Sequence, residues 1–129
     1  MNSYLFDTST IINLFRGKKE EEIIVNSLDG DQNSSFICFA ELYEGVTRSQ
    51  NRDKEEENVI QFFSKLHNVF GIDQDIAKHF GEIRAKLKAQ GNVIEDLDIL
   101  IAATCIAHNQ ILVTHNKKHF SHVSELKIF

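Results

Sequence analysis

Asp7, Glu41 and Asp98 lie far apart in the chain, each beside a run of apolar residues that reads as a strand or a buried helix. Carboxylates brought together at one site repel, and at least one gains affinity for a proton unless a cation compensates. Hard oxygen donors of this kind suit Mg²⁺ or Mn²⁺, which bind through a few carboxylates and keep part of their water. Such an ion activates water, orients a phosphodiester and stabilises charge on the leaving oxygen. Asn116 adds an amide oxygen that accepts a hydrogen bond but carries no charge, so it is the weaker partner and argues against a second tightly held ion. Taken singly, each acid serves equally well as a helix cap. Only their convergence gives the chemistry.

The elements that would bring them together follow from periodicity. Residues 3–6 read as a strand, 8–15 as a helix ending near Gly17, and 20–28 as a helix stopped around Gly30. The apolar run 35–39 is expected to be a strand, followed by a helix from about 40 to 48. Val59, Ile60, Phe62, Phe63 and Leu66 recur at helical spacing over 53–66, and 68–72 forms another short strand. Ile76, Phe80, Ile83 and Leu87 share one face of a helix over 73–90, closed by Gly91. Asp96 is expected to cap an apolar helix through 108, and residues 111–114 and 127–129 complete the strands. Alternating strands and helices predict an α/β fold: one domain over 1–129, with a mainly parallel sheet of four or five strands and helices on both faces. Ligands bind such sheets outside the carboxyl ends of the strands. Asp7 directly follows the first strand, Glu41 lies in the first helical turn after the second, Asn116 comes just after the strand 111–114, and Asp98 lies in the first turn of the helix leading back to that strand.

Composition bounds the rest. A chain of 129 residues with 42% hydrophobic and 26% charged residues forms one ordinary globular domain. The opening MNSYLFDTST lacks the basic and apolar regions of a signal peptide, and the apolar stretch 99–107 is too short to span a bilayer, so no membrane association is expected and the address is cytoplasmic. Cys38 and Cys105 sit in apolar runs and are expected to pack as small hydrophobes. The net charge of −5 excludes a broad basic surface for nucleic acid. Much of the acid is clustered in Glu20–Glu22 and Glu55–Glu57, which read as solvated helix starts.

Several residues remain as candidate contacts at the same edge. Thr8, Ser9 and Thr114 offer hydroxyl donors, and His115 neighbours Asn116. Arg16 and the pair Lys117–Lys118 are the basic residues expected nearest the edge and suited to phosphate. The histidines 108, 115, 119 and 122 admit a zinc site, though without a recognisable zinc motif they read first as exposed loop residues. Glu44, one turn beyond Glu41, is expected to face solvent.

Four strings in order carry a family resemblance. LFDTSTIINLF resembles the opening strand and helix of PIN domains, FICFAELYEGVTRS their second motif, EDLDILIAATCIAHN their third, and ILVTHNKKHF the closing one. The match spans nearly the whole chain and is similar to the VapC toxin type. It implies that Asp7, Glu41 and Asp98 hold Mg²⁺ or Mn²⁺ and that Asn116 takes the fourth site position. It further implies a homodimeric endoribonuclease that cuts a structured RNA such as a transfer RNA and is neutralised by a VapB-like antitoxin. Ser9 stands where many relatives carry Asn, and Asn116 where Asp is frequent. These departures keep two alternatives in view: a stand-alone PIN nuclease of RNA maturation, and a PIN-like module that binds RNA or protein without cutting.

Overall fold

Tyr4, Leu5 and Phe6 are buried in succession, the mark of a strand covered on both faces. In the computed structural model, which describes residues 2–129, they form the central strand β1 (Asn2–Phe6). It pairs in parallel with β2 (Gly30–Ser35) on one side and β4 (Ile111–Val113) on the other. The edge strands β3 (Asn68–Phe70) and β5 (Lys127–Ile128) complete a fully parallel five-stranded sheet of order β3-β2-β1-β4-β5.

Among the described residues, seven helices connect these strands: α1 (Thr8–Phe15), α2 (Lys19–Asn26), α3 (Phe36–Arg48), α4 (Arg52–Ser64), α5 (Gln74–Ala89), α6 (Asp96–Ala107) and α7 (Lys117–Phe120). Connections toward β3 and back to β4 run in opposite directions along the sheet. Right-handed crossovers therefore place their helices on opposite faces. Helix α6 buries Ile99 and the whole run from Ile101 to Cys105, so its apolar character on every side reflects a position inside the core. Helix α5 packs along it, capped by the Asp73 carboxylate, which accepts from the Ile76 amide at 2.9 Å. The order in which strands are laid down reverses between β1 and β4, so the carboxyl ends of these two parallel strands form the topological switch point.

The second strand departs from expectation. The apolar run FICF was expected to be extended, but the polar segment GDQNSS forms β2 and Phe36 begins α3. Ser35 turns the chain into the helix by accepting from the Ile37 amide at 3.0 Å. Buried polarity is tolerated in β2 because every group finds a partner. Asn33, fully buried, donates to Ser3 Oγ at 2.9 Å and Gln110 Oε1 at 2.8 Å and accepts from Asn68 at 3.2 Å. Ser34 Oγ donates to the Phe6 carbonyl at 2.8 Å. A row of polar side chains, three amides and one hydroxyl, thus runs from β3 across β2 and β1 to the residue before β4. Gly30 is required where β2 meets β1, since a Cβ there would stand 1.8 Å from the Asn2 carbonyl oxygen.

Candidate active site

Asp7 leaves β1 at the switch point and occupies the N-cap of α1, buried at 3% exposure. Its Oδ1 accepts from the Thr10 amide at 3.0 Å and from Ser9 Oγ at 2.7 Å. Its Oδ2 accepts from Thr114 Oγ1. Thr114 in turn accepts from the Asn116 amide at 2.9 Å, and the His115 amide donates to Ser9 Oγ at 3.1 Å. Thr10 Oγ1 donates to the Val113 carbonyl at 2.8 Å, fixing α1 on the end of β4. Asp7 is therefore held in one orientation by hydroxyls from two elements, and Ser9 and Thr114 are both placed at the expected edge.

Glu41 projects toward the same edge from the second turn of α3, one turn further into its helix than expected because α3 starts early. It accepts from Thr8 Oγ1 at 2.7 Å. Burial raises its affinity for a proton, and the charges of Asp98, Asp7 and Glu95 raise it further against the opposing Thr8 bond. Asp98 lies in the first turn of α6. Its carboxyl is likewise pushed up, first by burial and then by Glu95 and Asp7, with His119 opposing. The His119 ring nitrogen Nδ1 stands 3.6 Å from Asp98 Oδ2. The Asp7 charge acts on both Glu41 and Asp98, so the three carboxylates lie near one another at this edge.

In this side-chain arrangement no group of three or more His, Cys, Asp or Glu side chains among the described residues stands close enough to share an ion. Glu41 is engaged by Thr8, and Asp98 faces His119. The all-oxygen donor set and the repulsion among its members still fit a hard cation bound by one or two carboxylates and its own waters. The histidines do not gather for zinc: His115 meets Glu21, His119 meets Asp98, and His108 stacks on Phe70 with ring centroids 4.0 Å apart.

Other expectations change. Glu95, not Asp96, occupies the N-cap position of α6, and Asp96 pairs with Arg84 Nε at 2.9 Å on the surface. Arg16 is the C-cap of α1, at the opposite end of that helix from Asp7. It reaches Glu41 only along a groove between α1 and α3 lined by Phe15, Gly45 and Arg48. Lys117 opens α7 just past Asn116 and is exposed. Glu44 faces solvent, paired with Arg48. The acidic start of α2 is only partly solvated, because Glu21 is 2% exposed and accepts from Asn13 Nδ2 at 3.2 Å and from His115. Its helical phase with Ile24, Val25 and Leu28 was the signal for this. Glu95 and His119 carried no such signal, since only the packed sheet edge brings them to the acids.

The model of the PIN domain family matches residues 4–126. Ribonuclease VapC1 of Methanocaldococcus jannaschii is 35% identical over 97% of this chain and 85% of its own length. The tRNA(fMet)-specific endonuclease VapC of Shigella flexneri is 28% identical over 98% and 96%. Among solved structures, VapBC-1 from nontypeable Haemophilus influenzae superposes with a TM-score of 0.88 at 29% identity, covering 98% of this chain and 96% of the other. The order of the sheet, the acids at its switch point and these matches agree: the chain belongs to the PIN-domain family, among the VapC ribonucleases.

Proposed function

We propose that this protein is a metal-dependent endoribonuclease toxin whose site is formed by Asp7, Glu41 and Asp98. The observation that carries this reading is the gathering of these acids, half-buried or buried, at the switch point, where burial first and neighbouring negative charge second raise the proton affinity of Glu41 and Asp98. Asp7, Glu41 and Asp98 would hold one Mg²⁺ or Mn²⁺, directly or through water, and the bound ion would supply an activated water and charge stabilisation at the phosphodiester. Ser9, Thr10 and Thr114 keep the Asp7 carboxylate oriented, which limits the reorganisation needed on binding. Thr8 orients Glu41, and Asn116 flanks the site with an uncharged amide, supporting one ion rather than a two-ion clamp. Lys117 and, further away along the groove, Arg16 are the cations available to RNA phosphate.

By likeness to VapBC assemblies the partner is a VapB-like antitoxin, and the toxin is a homodimer that blocks translation by cutting a structured RNA such as a transfer RNA. Exposed Phe15 and the apolar floor of the α1–α3 groove suit an antitoxin segment. Among the described residues no helix is long and apolar enough to cross a membrane, in keeping with action in the cytoplasm. The test is cleavage of total tRNA by the purified protein. Mg²⁺ or Mn²⁺ supports cleavage and EDTA abolishes it, whereas binding without cleavage in either metal would leave a non-catalytic module.

A further inference from the structure

The pairing of Glu21 with His115 is not needed to build the acid cluster, yet it engages a carboxylate that is almost fully buried. Glu21, on α2, is 2% exposed, whereas the His115 side chain is 46% exposed. Nε2 of the imidazole faces Glu21 Oε1, which also accepts from Asn13 Nδ2 at 3.2 Å. A carboxylate accepts hydrogen bonds and cannot donate them, so Nε2 carries the proton in this pair. In the neutral ring Nδ1 is then the acceptor, on an imidazole open to solvent. The backbone of the same residue is tied through Ser9 Oγ to Asp7, so the ring stands beside the proposed site of cleavage.

We propose that Glu21 and His115 form a ribose-reading pair: Glu21 is a positioning residue that fixes the imidazole, and His115 Nδ1 accepts from a 2′-hydroxyl of the bound strand. The 2′-hydroxyl is the donor that distinguishes RNA from DNA along an otherwise similar backbone. An acceptor on a half-exposed imidazole matches it and offers nothing to a deoxyribose. This inference rests on the ribonuclease reading and adds the residue that selects the sugar.

The test compares binding of fluorescein-labelled RNA and DNA oligonucleotides of the same sequence to the full chain in EDTA, by anisotropy. The wild type prefers the RNA. His115→Ala weakens RNA binding about fivefold, the worth of one hydrogen bond, and leaves DNA binding unchanged. His115→Gln keeps a donor for Glu21 but has no acceptor where Nδ1 stood, so it loses the same preference with the loop intact. Glu21→Met lowers the preference through His115, and the double variant Glu21→Met/His115→Ala is no worse than His115→Ala alone. Glu21→Gln, which still offers an oxygen to Nε2, retains the preference and serves where Glu21→Met fails to fold. An unchanged RNA-to-DNA ratio in His115→Ala and His115→Gln overturns the proposal. So does a loss in Glu21→Met that adds in full to that of His115→Ala. Failure of the wild type to cleave RNA in Mg²⁺ or Mn²⁺ would instead overturn the ribonuclease reading beneath it.

Discussion

At the scale of single residues, the acids of the site work against the fold that holds them. Glu41 and Asp98 bind protons more readily in the folded protein than in the unfolded chain. Their contribution to stability is therefore complete below the unfolded carboxylate range and is lost as pH rises through the raised folded values. In EDTA the thermal midpoint should fall over that window as pH climbs toward neutrality, and divalent metal should restore it. Asp98→Asn removes one of the charges: it should flatten this dependence, raise the midpoint at neutral pH, and lower cleavage by at least about 100-fold. A calorimetric scan across pH together with a gel assay checks both arms, and wild-type cleavage in the variant would sink the assignment. Asp96→Asn is the contrasting case. Its exposed pair with Arg84 should contribute no more than about 1 kcal/mol, and cleavage should be unaffected.

At the scale of elements, the polar row across the sheet is the feature most exposed to a single change. Asn33→Leu removes the donor shared by Ser3 Oγ and Gln110 Oε1, which keep only their bond to each other, and puts an apolar side chain among polar groups. It should cost about 3 kcal/mol in urea denaturation. Gly30→Ala should cost on the order of 3 kcal/mol or more in the same measurement, because the added methyl meets backbone that cannot step aside. The strand β2 also shows where the sequence was hard to read. Hydrophobic periodicity located β1, α4, α5, α6 and β4 because these bury apolar faces. It misplaced β2, whose buried groups are polar and become acceptable only once Ser3, Asn68 and Gln110 are alongside. The acids Asp7, Glu41 and Asp98 were legible from motif order and from the rule that ligands meet strand carboxyl ends. Glu21, Glu95 and His119 act through neighbours distant in sequence, which no local pattern records.

At the scale of the molecule, a protein of net charge −5 takes on a polyanion. Attraction must then be local, through a bound cation and the few basic groups at the edge, and binding should respond only weakly to salt. The exposed Phe15, Phe36, Ile72 and Leu97 leave apolar surface for protein partners. Expression of this chain alone should arrest growth, and co-expression with its cognate antitoxin should restore it. Asp7→Asn should remove toxicity with no partner present. Harmless expression of the wild-type chain, at a level verified by immunoblot in a host lacking the antitoxin, would overturn the toxin reading.

The two cysteines give this molecule an internal clock. Cys38 donates toward the Phe6 carbonyl beneath the site, and burial pushes its thiol up to about 12. Cys105 lies equally deep in α6 and is also raised well above the ordinary range. Reactivity belongs to the thiolate, so an alkylating reagent finds neither sulfur until the surrounding helices part. The labelling rate of each cysteine, set against that of an unstructured thiol, thus reads how often its surroundings open. Because Cys38 sits under the acid cluster, its rate also reports when an occupant settles above it.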